Sequence, residues 1–370
     1  MRSRHVKVLA ALVVIVFISL LFLDIPSLSF NSLDFNDPQQ PTPELQPYSS
    51  YSEINFTLPS GTLDPTHFFL TQNSRPEWHS SPRLDKPPLS FRIGIISHPS
   101  EFAKRHAIRE YILSSVPTTA CTFTYRFLLA SSPPSASHDD HLVLQEIHEY
   151  NDIVLLDMHE DPRRMAEKRW RVLRWAAEAN RETYDYFLAF DTDVFIRIHA
   201  LALRIRTMHP EFKPRQESIM WAQMQSHKVH FVHRPDSDSD PNSYLVEDDQ
   251  VFLEGEYRGP EWYPYPMGFG FLMSSHLVSR LNHPKLKLPH HVHFPSDDVV
   301  MGMWVSEWAG DTKIVRDKAG FHEPTGHDVW KPEDTAPITW ESVVLHHVKP
   351  WEYRELRKVE EWEGEWTPRA

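Results

Sequence analysis

The chain has 370 residues, 41% of them apolar and 24% charged, with a formal net charge of −13 and a pI near 5.9. That length accommodates one large domain or two small ones, and the acidic balance excludes the phosphate-neutralising surface on which nucleic-acid binding rests. The single cysteine, Cys121, excludes an internal disulfide and argues mildly against a disulfide-stapled secreted protein.

The first predicted element is the uncharged apolar run Val8 to Leu23. Arg2, Arg4 and Lys7 precede it and Asp24 follows it. The positive-inside rule then predicts a cytoplasmic tail at 1–7, a transmembrane signal-anchor at 8–23 and a luminal body. At about 1.5 Å per residue the span is short, which suits the thinner membranes of the early secretory pathway. A cleaved signal peptide competes with this reading, but no small-x-small site follows the run. Residues 24–88 are rich in Pro, Ser, Asn and Gln and read as a flexible stem. The stem carries the sequon Asn55-Phe56-Thr57, a glycosylation site if luminal.

Residues 89–370 read as the folded domain. Phe91 to Ser97 predicts a first strand, and Glu101 to Ser115 an amphipathic helix. Cys121 to Ala130 predicts a second strand, and His141 to Asn151 a second helix. A third strand follows over Asp152 to Met158, then a long helix over Arg163 to Asn180. Next, the apolar run Tyr186 to Phe190 drives into Asp191-Thr192-Asp193. Strand and helix alternate, which predicts an α/β fold with a mainly parallel sheet and helices on both faces. Arg234 to Asp248 reads as an exposed acidic loop.

Several clusters in this frame carry chemistry. Arg105 and Arg109 stand four residues apart, on one helix face, and two guanidinium groups at a sheet edge suit a phosphate or carboxylate. A solvated basic face, or Arg109 paired with a neighbouring acid, is the alternative. A buried strand ending in Asp191 and Asp193 puts hard oxygen donors where open α/β sheets bind ligands. Such donors suit Mn²⁺ or Mg²⁺, and those ions suit a diphosphate. In Glu261 to Ser275, aromatics including Tyr265 precede Gly268-Phe269-Gly270, where a backbone can approach a ligand closely. The aromatics offer flat faces to sugar rings, or else the segment is a turn packed on the core. Asp297 and Asp298 open a helical apolar run. They serve either as acids at a helix N-terminus or as a general base for an attacking hydroxyl while a metal holds departing diphosphate charge. The strand in Ser342 to Trp351 sends His346 and His347 to opposite faces, one to a metal and the other to core or surface. The run from His290 to His293 is a second histidine candidate. A metallohydrolase reading lacks a spaced His-Glu-x-x-His motif.

Taken in order, these motifs resemble the β-1,3-glycosyltransferases, the family of β-1,3-galactosyltransferases, β-1,3-N-acetylglucosaminyltransferases and Fringe. Ser97-His98-Pro99 with Arg105 and Arg109 resembles its opening pattern, and Glu146, Tyr150 to Ile153 and Asp157 its next. Lys168 and Trp175 follow, then Asp191 to Phe195, Tyr265 to Phe271 and Asp297 to Gly302. The chain departs from the family at Thr192, Phe269, Asp297 and Pro266, which replace Asp, Gly, Glu and a cysteine. The resemblance implies a GT-A type nucleotide-sugar-binding sandwich and inverting transfer from a UDP-sugar to a glycan hydroxyl. The implied bond is β-1,3, with galactose the favoured sugar. It implies Mn²⁺ (or Mg²⁺) on Asp193, with Asp191 near it and His346 or His347 completing the shell. Ser97, Arg105, Arg109, Asp191 and Asp193 are its donor-binding residues. Tyr265, Gly268, Phe269, Gly270 and Asp297 are its acceptor or sugar contacts, and Asp298 its base. A single-pass type II protein of the Golgi membrane is the expected setting. A catalytically silent sugar-binding or chaperone-like member of the same fold is the competing reading, and retained Asp193 and Asp298 argue against it.

Overall fold

The computed structural model describes residues 50–71, 74–82, 84–85, 87–132, 140–228, 230–232, 251–253, 259–283, 296–322 and 337–367. Contacts divide the chain into two units, 1–46 with 245–250 and 47–244 with 251–370, and every described residue lies in the second. No helix among the described residues is long and apolar enough to cross a membrane. The expected anchor at 8–23, the acidic loop at 234–248 and the histidine run at 290–293 lie outside them.

The strands are β1 (Phe68–Phe69), β2 (Leu89–Ser97), β3 (Cys121–Ser131), β4 (Ile153–His159), β5 (Tyr186–Asp191), β6 (Phe195–Ile196), β7 (Ile219–Ala222) and β8 (Met224–Lys228). They continue as β9 (His230–Val232), β10 (Val251–Leu253), β11 (Trp262–Pro266), β12 (Gly270–Ser274), β13 (Lys313–Arg316), β14 (Phe321–His322), β15 (Ile338–Thr339) and β16 (Val344–Leu345). The helices are α1 (Glu77–Ser80), α2 (Phe102–Ile108), α3 (Asp140–Tyr150), α4 (Met165–Glu178), α5 (Ile198–Met208), α6 (Ser275–Leu281), α7 (Asp297–Trp308) and α8 (Pro350–Arg357). Seven strands form the central sheet in the order β13-β7-β12-β5-β2-β3-β4. All neighbouring pairs are parallel except those of β12, which runs antiparallel to β5 and β7. The expected α/β architecture with a mainly parallel sheet is therefore present.

Side-chain alternation along β5 explains the two layers. Leu188 and Phe190 enter one core with residues of α5 and α8, such as Leu201 and Tyr353. Phe187 and Ala189 enter the other with α4, α6 and α7, through Trp170, Leu277 and Trp304. A period of two places Asp191 on the α4 face as well.

The expected flexible stem is corrected over its second half. Tyr51, Ile54, Leu58 and Trp78 are buried in the core. The Tyr51 backbone N–H donates to Gln145 Oε1 at 2.7 Å, and Phe68 in β1 pairs with Ile338 in β15. The folded unit thus includes residues from about 50, not 89. Composition hid this, because a few aromatic anchors in a polar, Pro-rich stretch give no periodicity. Four buried side chains contribute about 6–12 kcal/mol at 1.5–3 each, comparable with a whole domain's stability. A chain beginning at residue 89 should therefore show no cooperative thermal transition, whereas one beginning at 47 should. A normal melt of the shorter chain overturns this account. Asn55 of the sequon is exposed, its Oδ1 accepting from the Thr57 N–H at 2.9 Å.

Candidate active site

The C-terminal ends of β2 and β5 lie side by side, with Ile96 opposite Asp191. Past that edge the chain turns through Thr192, whose hydroxyl donates to Glu101 Oε2 at 2.7 Å. The Thr192 carbonyl accepts from the buried Tyr353 hydroxyl of α8. Thr192 therefore fixes the turn instead of adding a third carboxylate.

Asp193 leaves that turn toward β16. Its Oδ2 lies 3.6 Å from His346 Nε2 and 3.7 Å from His347 Nδ1. Asp193, His346 and His347 each offer a ligand atom, all within 4.8 Å of one another. Burial works against the Asp193 carboxylate, but the His347 hydrogen bond and the His346 charge outweigh it and hold the group below its ordinary range. The expectation that the two histidines diverge is corrected. The strand stops at Leu345, and His347 takes φ 57°. That left-handed turn swings its imidazole back beside His346, with ring centroids 3.7 Å apart. Phe269 stacks on His346 at 4.4 Å and is only 3% exposed. It props a candidate metal ligand and offers no open face to a sugar, contrary to expectation.

Asp191 does not join this cluster, a correction to its expected place in the metal shell. It faces Arg169 of α4, with Arg169 Nη1 3.6 Å from Asp191 Oδ1. Arg169 Nε donates to Asp297 Oδ2 at 2.7 Å, and Nη2 donates to the Gly268 carbonyl at 3.1 Å. One guanidinium thus links β5, the glycine loop and the N-terminus of α7. Burial pushes the Asp191 carboxyl up to about 7, against the pull of Arg169. The loop reaches this point because β12 pairs with β5: Gly270 lies opposite Phe190, and the Asp191 N–H donates to the Phe269 carbonyl at 3.2 Å. Arg169 was legible only indirectly. It shares a stripe with Ala166, Leu173 and Ala176, a cation on the buried face of a helix.

Asp297 and Asp298 are the first two residues of α7, so Ser296, not Asp298, occupies the N-cap position. Asp298 Oδ1 accepts from Ser296 Oγ at 2.5 Å and from the Val299 N–H at 2.7 Å. Burial first, and Asp297 second, push its carboxyl up to about 6. Tyr265 stands on β11 beside α7, its hydroxyl donating to Gln225 Oε1 at 2.9 Å. The helix approaches that strand closely at Gly302, where a Cβ would lie 2.4 Å from Tyr265 Cβ.

Ser97, Arg105 and Arg109 do not present donors to the site. Arg105 is fully buried, bidentate on Glu146 through Nε at 3.0 Å and Nη2 at 2.6 Å. Its Nη1 donates to Ser97 Oγ at 3.0 Å and to the His98 carbonyl at 2.7 Å. Arg109 grips Asp152 through Nε and Nη2, each at 2.8 Å. The neighbouring-acid alternative holds: Arg105 braces the loop after β2, and Arg109 ties the end of α2 to Glu146 and Asp152. Breaking a buried pair costs about 3–5 kcal/mol because the partner charge is stranded. Arg105→Ala should lower thermal stability accordingly. An unchanged melt with lost nucleotide binding would return Arg105 to the donor site.

Residues 103–316 match the family model described as Galactosyltransferase. The chain is 27% identical over 216 residues to the N-acetyllactosaminide β-1,3-N-acetylglucosaminyltransferase 2 of Homo sapiens, covering 57% of this chain and 49% of that one. It is 23% identical over 236 residues to the hydroxyproline O-galactosyltransferase GALT2 of Arabidopsis thaliana, covering 63% of this chain and 30% of that one. The match thus spans half or less of these relatives' own length. Among solved structures, that of the galactosyltransferase LgtC with donor and acceptor sugar analogs aligns over 74% of this chain and 99% of that one. Its TM-score is 0.34 and its identity 12%, a likeness too distant to carry functional meaning.

Proposed function

The chain belongs to the galactosyltransferase family, and from that membership we propose that it moves a hexose, galactose favoured, from a UDP-sugar to a glycan hydroxyl with inversion, forming a β-1,3 bond. The observation that carries this reading is the juxtaposition of two groups. The Asp193–His346–His347 cluster stands on one side of the Gly268–Phe269 loop, through the Phe269 stack. The Asp297–Asp298 pair stands on the other, through Arg169.

One carboxylate and two imidazoles make a mixed oxygen–nitrogen set that fits Mn²⁺ better than the all-oxygen preference of Mg²⁺. Asp193, His346 and His347 would hold the ion, which when bound supplies positive charge to a diphosphate leaving group. Asp298 accepts the proton of the attacking hydroxyl at a carboxylate oxygen. Arg169 neutralises Asp297 beside it, so that two adjacent carboxylates can remain at one helix N-terminus. Asp191 and the Gly268 carbonyl face the same guanidinium. The run Val8 to Leu23 and the basic residues before it support a type II Golgi setting as part of this proposal.

The test is a donor screen on the purified full-length chain, with UDP-galactose and other UDP-sugars, several β-linked acceptors, and Mn²⁺, Mg²⁺ or a chelator. Metal-dependent release of UDP coupled to acceptor extension is expected. Absence of both transfer and UDP-sugar hydrolysis with every donor would favour a silent sugar-binding member of the fold.

A further inference from the structure

Toward the other end of the strands from the candidate active site, a cleft of about 240 Å³ is lined by Arg92, Thr124, Tyr125, Arg126 and Trp175. Arg92 lies four residues before Ile96, the partner of Asp191, a distance of about 13 Å along β2. In the β2–β3 ladder Arg92 stands opposite Thr124, and Arg126 opposite Gly94. Alternation puts Arg92, Thr124 and Arg126 on the face that carries α4 and Trp175. The two arginines are diagonal neighbours, a spacing that long side chains bridge.

Neither guanidinium makes an ion pair among the described residues. Arg92 lies over the Trp175 ring, 3.8 Å from its centroid, and its Nη2 donates to the Trp175 carbonyl at 2.9 Å. Its Nε is buried with no partner. Arg126 donates through Nη1 to the Tyr125 carbonyl at 2.7 Å, and its other donors are unengaged. Burial holds the Arg92 guanidinium below its ordinary range; Tyr184 and Glu178 oppose this, and Arg126 adds to it. Acids are plentiful, 51 against 38 Lys and Arg. Elsewhere Arg105, Arg109, Arg169, Arg197 and Arg204 each meet a carboxylate. Two like charges beside an orphaned donor are costly unless an acceptor sits between them.

The donors define that acceptor. Both guanidinium groups only donate, so a cation or a donor-only group is repelled. Arg92 covers one face of Trp175 and the ring is only 7% exposed, which leaves no platform for a sugar or a base. A single planar carboxylate matches one guanidinium fork. Two guanidinium groups and the Thr124 hydroxyl, from two strands, suit an anion with three or more oxygens. We propose that this cleft binds a tetrahedral oxyanion, a phosphate or sulfate group, between Arg92 and Arg126. The site is separate from the candidate active site and does not depend on the UDP-sugar reading.

The experiment is titration calorimetry on the purified full-length chain, with chelator present so that no metal recruits the anion. Inorganic phosphate, inorganic sulfate, glucose 6-phosphate and glucose are titrated in turn. Saturable binding of phosphate or sulfate, and none of glucose, is expected. Arg92→Gln and Arg126→Gln should each weaken it at least about 10-fold, as for hydrogen bonds to charged groups. Thr124→Asp, at an exposed position, should abolish it by placing a carboxylate in the cleft, and it tests the site without removing a buried side chain. Asp193→Ala should bind phosphate as the wild type does. Given those losses, tighter binding of glucose 6-phosphate than of phosphate assigns the site to an esterified group, and weaker binding to the free ion. No saturable binding of any anion overturns the proposal, as does binding that survives in all three cleft variants. Loss of binding in Asp193→Ala also overturns it, because the anion then belongs to the candidate metal cluster.

Discussion

Asp298→Asn is expected to leave a folded protein that binds UDP-sugar normally and transfers at least about a hundredfold more slowly, since a positioned base contributes roughly 10²–10⁴ to such a step. Asparagine keeps the shape and can still accept from Ser296 Oγ and the Val299 N–H. It cannot take the hydroxyl proton. Stability separates this role from a structural one. The native Asp298 carboxyl is raised, by burial first and then Asp297, to about 6. A raised acid favours its protonated form in the folded state. Its contribution to stability is therefore fully present below the ordinary pKa and is lost as pH rises through about 6. At pH 7.5 the ionised group is a burden, and its removal should leave the melting temperature unchanged or higher. A lowered melt with near-normal turnover assigns Asp298 to the helix N-terminus, and the base is then sought at Asp297. The groups facing Asp298 are Asp297, Arg169, Ser296 and Tyr265. With those in place, wild-type kcat/KM should fall as pH drops through about 6, as the base protonates.

Asp193→Ala is expected to abolish metal-dependent donor binding, measured as the difference in UDP-sugar affinity with Mn²⁺ and with chelator. The variant removes the one carboxylate of the cluster and leaves two stacked imidazoles, which lack the hard oxygen that Mn²⁺ favours. His346→Ala and His347→Ala should each reduce the same difference by about 10-fold or more. Donor affinity in Asp193→Ala that still rises with Mn²⁺ would place the ion elsewhere. An additional result follows for His347, because its left-handed backbone is strained for a side chain. His347→Gly should match His347→Ala in lost metal response yet melt at a higher temperature.

Much of the sheet was readable in advance because its signals are local. The run Tyr186 to Phe190 is apolar and the acids follow at once, so strand and edge position came together. Asp297 and Asp298 were placed by their position at the head of an apolar helix, and the choice of Asp298 between them rested on the family resemblance. What escaped depends on distant partners. Arg105 and Arg109 have helical spacing that fits a phosphate clamp equally well. Only the approach of Glu146 and Asp152, about forty residues on, decides that they are braces. The convergence of His346 and His347 turns on one backbone angle after a two-residue strand. Alternation alone predicts the opposite. Arg169 sits in a helix rich in other cations, and its role appears only when β12 brings Gly268 beside Asp191.

The candidate metal cluster draws Asp193 from the middle of the chain and both imidazoles from its last tenth. Asp193 and His346 are 346 − 193 = 153 residues apart. At about 5–20 residues per second of synthesis, Asp193 emerges roughly 8–30 s before the first imidazole exists. The final stretch also carries Tyr353, which ties the Thr192 carbonyl, and Glu365, which pairs with buried Arg197. On the proposed reading, a nascent or prematurely terminated chain can own the nucleotide-binding sheet and still be inert. Activity on that reading requires the segment that carries both histidines, so a product ending before His346 cannot consume donor sugar.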